Sequence, residues 1–227
     1  MCFFCFFKLW LSSVIILTFG SDIYMYTLLI DTHDKDILVC IYKDGRELKH
    51  ISKESPNNHS NIVMPMLSDL FNSLNIKIND LKQILVINGP GSFTGVRVGV
   101  TIAKTIAYCL NIPIKTISSL DMYAVSTDTS SNKLVLLHDF KGAYICLYSK
   151  DNRVLDGPFY MSNNDLNKYL KDNDYSKIVI DNKIDLNKVY SYSLNIKNTI
   201  CHNVNPLYIK EIDALKNDRK SLPTRFE

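Results

Sequence analysis

The 227-residue chain has little of the charge asymmetry that is typical of proteins binding nucleic acid on their own. Its 26 Lys and Arg residues stand against 23 Asp and Glu, which gives a net charge of only +3, and no block of one sign occurs. Tight autonomous binding of nucleic acid depends on clustered cations that neutralise phosphates. The composition therefore argues against it, whereas binding as part of a larger complex stays open.

Histidine and cysteine are too scattered to indicate a metal centre or a local catalytic set. Cys2 and Cys5 have C-x-x-C spacing, but no second pair or nearby histidine completes a site. No Ser-His-Asp or Cys-His motif occurs locally. None of the five histidines stands at ligand spacing from another; they are His33, His50, His59, His138 and His202. We therefore predict no metal site and no catalytic residue.

The remaining cysteines favour a reducing compartment. They fall singly in apolar segments, at Cys40, Cys109, Cys146 and Cys201. A reduced, buried thiol is the usual state of cysteine in such segments, and unpaired thiols are typical of reducing compartments. We expect a cytoplasmic protein.

The first 24 residues are apolar without forming a complete membrane segment. Lys8 interrupts the apolar run, no positive charge precedes it, and its uninterrupted part at 14–19 is shorter than the about 20 residues that span a bilayer. Three interpretations are open: a signal peptide, a membrane anchor, or an upstream start codon with the true first residue at Met25. We favour the third, because a complete strand begins at Tyr26, and we expect no membrane association.

Glycine is scarce, and its distribution is uneven. Four of the eight glycines lie at 88–99, in Asn-Gly-Pro-Gly-Ser-Phe-Thr-Gly-Val-Arg-Val-Gly. An apolar run predicts a buried strand at 84–87, and small apolar residues predict a helix at 100–110. Glycine at such a junction permits a tight turn and close approach of the backbone, and Ser92 or Thr94 can cap the helix.

This loop differs from the known phosphate-binding loops. Its glycines give G-x-G-x-x-x-G, one residue longer than the dinucleotide fingerprint, and no Lys-Ser or Lys-Thr pair follows a glycine as in the Walker loop. Pro90 also removes a backbone donor. The spacing favours a turn that docks a helix on a sheet over a phosphate cradle.

Small residues recur at every fourth position of the predicted helix, at Gly95, Gly99, Ala103 and Ala107. Residues four apart share one helix face, and a face without large side chains lets another helix pack closely. The predicted neighbour is the helical segment 61–74, whose apolar face contains Val63, Leu67, Leu70, Phe71 and Leu74. Two interpretations stay open: the helices bury each other in one core, or their outer faces also contact a second protein.

The two halves of the chain repeat one order of elements. Each begins with a strand that ends in an aspartate, Asp31 or Asp139, and continues with two strands joined by a polar hairpin turn. A helix and an apolar strand follow in both halves. This order predicts an α/β fold of two ribonuclease-H-like lobes, the actin-like ATPase architecture. We place an N-terminal extension at 1–24, the first lobe at 25–122, and a degenerate second lobe with a C-terminal tail at 123–227.

The two aspartates have two interpretations. In active proteins of this architecture the equivalent residues face a shared cleft and handle metal and phosphate, which makes Asp31 and Asp139 candidates for a nucleotide cleft. The turn at 32–36, Thr-His-Asp-Lys-Asp, lacks glycine and adds carboxylates, so its amides are poorly arranged for phosphate. Both residues serve equally well as turn-initiating aspartates.

Several motifs together resemble the TsaB (YeaZ) family. The loop resembles its Gly-Pro-Gly-Ser-Phe-Thr-Gly-Leu-Arg-x-Gly signature, with Val96 in place of Leu. The signature residues here are Gly89, Pro90, Gly91, Ser92, Phe93, Thr94, Gly95 and Arg97. Weaker agreement occurs at 29–32, 59–65, 103–107, 118–120, 139–144 and 206–210. The resemblance covers about residues 25–211 and is most specific in the first lobe.

The resemblance implies a non-catalytic subunit of the complex that places threonylcarbamoyl on N6 of adenosine-37 in tRNA. Such subunits scaffold and activate a TsaD catalytic subunit, and a TsaE ATPase joins the pair. It also implies that tRNA is contacted only through the complex and that the chain forms a heterodimer through its first-lobe helices. The interface residues would be Leu67, Leu70, Leu74, Gly95, Gly99, Ala103 and Ala107.

Further expectations concern catalysis and self-association. The catalytic relatives hold a metal through two histidines four apart on a helix, whereas here His59 is followed at that spacing by Val63. We expect no cofactor, with ATP at the partner junction and a homodimer without the partner left open. Arg97 would contact a partner or, as the default, form an internal ion pair. The alternative functions are an independent actin-like nucleotide hydrolase or kinase and a membrane-tethered or secreted binding module.

Overall fold

Apolar strands and amphipathic helices build two β-sheets with helices packed on them, in a computed structural model that describes residues 25–54, 59–172, 175, 177–180 and 183–210. The predicted N-terminal extension at 1–24 and most of the predicted tail, at 211–227, lie outside the described residues. The first sheet has the strand order β3-β2-β1-β4-β5. Its strands are β1 (Tyr26–Asp31), β2 (Asp36–Lys43), β3 (Arg46–Glu54), β4 (Leu81–Ile87) and β5 (Ile114–Ile117).

The second sheet repeats the first four positions of this order, as β8-β7-β6-β9. Its strands are β6 (Lys133–His138), β7 (Gly142–Tyr148), β8 (Val154–Ser162) and β9 (Lys177–Ile180). In both sheets the first strand of the lobe pairs antiparallel with the second and parallel with the fourth. The predicted fold class, two ribonuclease-H-like lobes in an α/β protein, is thereby confirmed.

Five helices cover the sheets in the described part of the chain: α1 (His59–Leu74), α2 (Phe93–Leu110), α3 (Ser119–Ser126), α4 (Asn163–Asp172) and α5 (Leu186–Ser193). Because side chains alternate along a strand, β1 supplies two different cores. Leu28 and Ile30 pack beneath α1 and α2, whereas Leu29 joins a core with α3, α5 and the second sheet. A third, smaller core lies between the second sheet and α4.

The helix α2 meets the length and composition of a membrane-spanning segment. Its apolar character has a structural reason, because its own residues Val96, Val100 and Ala103 are buried in the first core. The core helix of a folded protein passes the same test, so this feature alone is weak evidence for a membrane span.

A buried lysine joins α3 to the second sheet. Lys133, at the start of β6, is only 1% exposed, and its Nζ donates to the carbonyl oxygens of Ala124 and Thr127. These carbonyls belong to the end of α3, where four backbone acceptors lack helical partners and the helix dipole favours a cation. The lysine therefore satisfies groups that burial would otherwise leave without donors.

The predicted lobe boundary lies within a helix that contacts both sheets. The position between 122 and 123 falls inside α3 (Ser119–Ser126), and this helix packs against strands of each sheet. The segment 196–210, which we call the returning segment, also goes back to the first lobe. Thr199 bridges to Ile114, Val204 is 2% exposed in the first core, and the Leu207 N–H donates to the Asn88 carbonyl at 2.7 Å.

Candidate functional site

The glycine loop between β4 and α2 docks the helix on the end of β1. A Cβ atom built on Gly91 would overlap the carbonyl oxygen of His33. The Ser92 N–H donates to that same oxygen at 2.6 Å, and Ser92 Oγ caps the helix by accepting from the Gly95 N–H at 3.2 Å. Two amides that a phosphate would need are thus bonded within the chain, which favours the docking turn.

The small-residue stripe of α2 faces the interior of the protein. A Cβ atom built on Gly95 would overlap the carbonyl oxygen of Thr32, and one built on Gly99 would overlap Thr32 Oγ1. The same hydroxyl donates to the Gly95 carbonyl at 2.7 Å. The stripe therefore lets α2 approach the end of β1 closely. The helix α1 packs in the same core.

The same packing determines where the residues predicted for the partner interface lie. All seven lie at the inner faces of α1 and α2: Leu67, Leu70, Gly95, Gly99, Ala103 and Ala107 are buried, and Leu74 is half-buried against the same core. Their burial in one core matches the simpler of the two interpretations of the sequence. A second protein could reach only the outer faces of these helices.

The outer faces of α1 and α2 form an open groove of about 420 Å³. Met64 is 53% exposed and Phe93 is 44% exposed, and Val98 and Ile102 line the groove beside them. Three hydroxyl side chains complete the polar part of its lining. Among the described residues that line the groove, Arg97 alone is charged. Exposed apolar surface of this kind, rimmed by polar groups, is typical of protein interaction sites.

Three side chains stack at the N-terminal end of α2. The guanidinium carbon of Arg97 lies 5.0 Å from the centroid of the Phe93 ring, which is cation–π distance. The Phe93 ring in turn lies 5.3 Å from the ring of Tyr208, which belongs to the returning segment. The described part of the chain offers Arg97 no carboxylate within 4.0 Å, so the expected internal ion pair is not observed there.

Asp31 at the end of β1 is bonded to its own turn. It is 1% exposed, and its Oδ1 accepts from the backbone N–H of His33 at 3.0 Å and lies 2.7 Å from His33 Nδ1. The residue lines an open cavity of about 820 Å³ between the edge of the first sheet and residues 183–187. Asp139 does not line this cavity. Five of the fifteen residues that line it are acidic, Asp31, Asp34, Asp36, Glu47 and Asp185, and they stand beside one lysine, Lys183.

Asp139 is held by four donors from its own chain. Its Oδ1 accepts from the N–H groups of Lys141 and Gly142 and from the Tyr160 hydroxyl, and its Oδ2 accepts from Lys210 Nζ at 2.9 Å. Burial alone would raise the pKa of Asp139, but hydrogen bonds from Lys210, Tyr160 and the Lys141 amide outweigh it and lower the pKa. Burial would lower the pKa of Lys210, and its bond to Asp139 raises it instead. This arrangement fits a structural clamp.

The helix position four residues after His59 is apolar. His59 is buried and its Nε2 lies 2.8 Å from the Asp34 carbonyl, while Val63 is fully buried in the first core. No group of three or more His, Cys, Asp or Glu side chains arranged to hold a metal occurs among the residues that the structure describes.

Sequence reasoning missed several members of the groove and the clamp. Met64 lies within the weakly matching segment 59–65, which gives it no role of its own, and Tyr160 lies on a strand of unremarkable pattern. Tyr208 and Lys210 stood in the motif Pro-Leu-Tyr-Ile-Lys at 206–210, which resembled the family pattern. That motif was the available signal, but sequence distances of 115 from Phe93 and 71 from Asp139 concealed the contacts.

Fold and site together define a two-lobed actin-like protein whose first lobe presents an apolar groove between two helices. The family model described as "TsaD: tRNA N6-adenosine threonylcarbamoyltransferase" matches residues 51–157. The chain is similar to "tRNA threonylcarbamoyladenosine biosynthesis protein TsaB" of Bacillus subtilis (strain 168), with 34% identity over 134 residues, and to its counterpart in Escherichia coli (strain K12), with 32% over 96 residues. The predicted resemblance to the TsaB (YeaZ) family is confirmed.

The extent of these similarities differs between sequence and structure. The alignments cover 58% of this chain and 58% of the B. subtilis protein, and 42% and 41% for the E. coli protein. The chain thus spans less than two thirds of the length of these relatives. The structure "YeaZ from Pseudomonas aeruginosa" superposes with a TM-score of 0.66 at 16% identity, covering 81% of this chain and 99% of that chain. This superposition agrees with the fold.

Proposed function

We propose that the chain is a non-catalytic subunit in tRNA threonylcarbamoyladenosine biosynthesis that binds and activates a TsaD-like catalytic subunit. The groove between α1 and α2 is the observation that supports this proposal. It exposes Met64 and Phe93 on helices whose inner faces are already used by the protein's own core. Burial of such apolar side chains beneath a partner would stabilise the complex.

The alternative of an independent nucleotide hydrolase has less support from the site. Asp31 is bonded to His33, and Asp139 is bonded to Lys210 and Tyr160. The Ser92 and Gly95 amides of the glycine loop are also engaged. A phosphate or its counter-ion would therefore have to displace hydrogen bonds that the fold already makes.

The other expectations remain part of this proposal. A TsaE-like ATPase joins the pair, tRNA is reached through the complex, and the protein works in the cytoplasm. ATP at the junction with the partner and a homodimer in the partner's absence stay open alternatives.

The proposal is tested by mixing the purified chain with a TsaD-like protein and measuring affinity and threonylcarbamoyl transfer to tRNA. Met64→Asp and Ile102→Asp place a charge in the groove and should abolish both association and activation, because the buried charge would lack a partner. The chain alone should catalyse no transfer and no ATP hydrolysis.

Leu155→Asp is the matched control. Leu155 lies on β8 in the second lobe and is 52% exposed, against 53% for Met64, so the two substitutions alter equally accessible apolar side chains. The control should bind as the wild type does. Failure of the wild-type chain to bind the TsaD-like protein, or full binding by both groove variants, would contradict the proposal.

A further inference from the structure

Arg97 is a charged side chain at an apolar groove, and the described residues place no acidic side chain in the lining of this groove. It lines the groove with Met64, Phe93 and Ile102, and no other charged side chain in the described part of the chain lines it. No carboxylate of the described residues lies within 4.0 Å of its guanidinium group. A partner that covers the groove would bury this charge, and a buried charge is costly unless it is paired.

The stack with Phe93 and Tyr208 holds Arg97 in place for such a pairing. The guanidinium carbon of Arg97 lies over the Phe93 ring, 5.0 Å from its centroid, and the Tyr208 ring lies 5.3 Å from the Phe93 ring. The guanidinium group carries five N–H donors in a planar fork. These donors match a carboxylate in a two-pronged geometry, and a side chain that is already positioned loses less entropy on binding.

We propose that the groove accepts a helix of the TsaD-like partner that carries a carboxylate, and that Arg97 selects this partner by pairing with it. The inference rests on the proposed function and adds the chemistry of the recognised surface. Charge complementarity supports this inference, because one positioned cation in an apolar groove pairs best with one anion among apolar side chains. Tyr208 acts as a positioning residue for Arg97.

A protein partner fits these observations better than nucleic acid. Phosphate backbones are bound by several cations along one surface, whereas Arg97 is the single cation among the described residues that line the groove. Lys104, the next cation of α2, donates its Nζ to the Val204 carbonyl at 2.7 Å and is engaged with the returning segment. A second copy of the chain fits less well, because a two-fold contact over this groove would bring two Arg97 side chains to one surface.

The test compares charge variants of Arg97 for affinity to the TsaD-like protein by calorimetry. Arg97→Glu should weaken binding by at least about 30-fold, and Arg97→Lys by about 5-fold, since an ammonium group keeps the charge but not the planar fork. Arg153→Glu makes the same charge change at an exposed site of the second lobe and should stay within about 2-fold of wild type. Far-UV circular dichroism and urea midpoints establish that each variant is folded.

Two further arms identify the paired group and the role of Tyr208. Acidic residues on the contacting helices of the TsaD-like protein are changed to arginine one at a time, and one of them should restore binding to Arg97→Glu. Tyr208→Ala should weaken wild-type binding by about 3- to 10-fold, the energy of an aromatic pair. It should have no additional effect when Arg97 is replaced by methionine, since Tyr208 acts through Arg97.

The outcomes separate this inference from the proposed function. If Met64→Asp abolishes binding while Arg97→Glu binds normally, the inference is overturned and the proposed function stands. If Arg97→Glu instead reduces only binding of free tRNA, or only self-association of the chain, the partner assigned here is wrong. If the wild-type chain does not bind the TsaD-like protein at all, both proposals fail.

Discussion

Replacing Gly99 with alanine should destabilise the protein, although alanine is the better helix former. The substitution gains about 1 kcal/mol from helix propensity. Its methyl group, however, would overlap Thr32 Oγ1, whose hydroxyl donates to the Gly95 carbonyl at 2.7 Å. Overpacking costs about 1–3 kcal/mol, and loss of the buried hydrogen bond costs about 1 kcal/mol more. The free energy of unfolding should therefore fall by about 1–3 kcal/mol.

A second substitution distinguishes this overlap from a general effect of glycine. Thr32→Ala removes the hydroxyl, so Gly99→Ala should cost little in that background. Gly95→Ala overlaps the carbonyl oxygen of Thr32, a backbone atom that Thr32→Ala leaves in place. The double-mutant cycle should therefore give a coupling energy of about 1–3 kcal/mol for Gly99 and a smaller one for Gly95, whose overlap is with a backbone atom.

Urea unfolding followed by circular dichroism measures these energies, and thermal unfolding checks them. For a protein of this size, each kcal/mol should shift Tm by about 2–4 °C. A Gly99→Ala variant as stable as wild type would refute the packing that we describe. Equal rescue of both glycines by Thr32→Ala would refute the assignment of the overlapping atoms.

Three further substitutions test other contacts by urea unfolding. Lys133→Met should lose about 2–3 kcal/mol because the carbonyls at the end of α3 lose their buried donor; the exposed Lys150→Met is its control, and equal stability of the two would contradict this role. Lys210→Met should lose about 1–2 kcal/mol at neutral pH. The pKa of Asp139 is lowered in the folded protein, so the stability that its carboxylate contributes is present above its ordinary pKa of 3.8 and is lost as pH falls through the folded-state pKa. The free energies of unfolding of wild type and Lys210→Met should therefore converge in acid. A difference that stays constant with pH would contradict the clamp. Tyr42→Phe should lose about 1 kcal/mol, since its buried hydroxyl donates to the Leu186 carbonyl at 2.8 Å, and unchanged stability would count against that bond.

The fold class could be predicted because its evidence is local and occurs twice. Each lobe contains three antiparallel strands, then a helix, then a parallel strand. The hairpin turn at Asp44-Gly45 adopts the positive φ angles that these residues favour. The packing of α3 against both sheets and the contacts of the returning segment could not be predicted in the same way, because they join distant parts of the chain.

The small-residue stripe shows where sequence reasoning about the site ends. Spacing identified one face of α2, but a face of small residues suits a neighbouring helix and a strand end equally well. Thr32 decides between them, and it lies 63 residues from Gly95. The outer groove was harder to recognise, because a few exposed apolar residues such as Met64 have no distinctive pattern.

The return of the chain to the first lobe also affects synthesis. Translation releases the first sheet long before Val204 and Thr199 leave the ribosome, yet Val204 is buried in that sheet's core and Thr199 pairs with its last strand. Apolar surface beside Ile114, which we call the seam, therefore stays uncovered in the nascent lobe until residues 85 positions further along the chain have been made. A fragment cut between the lobes would keep this seam open and would be prone to aggregate.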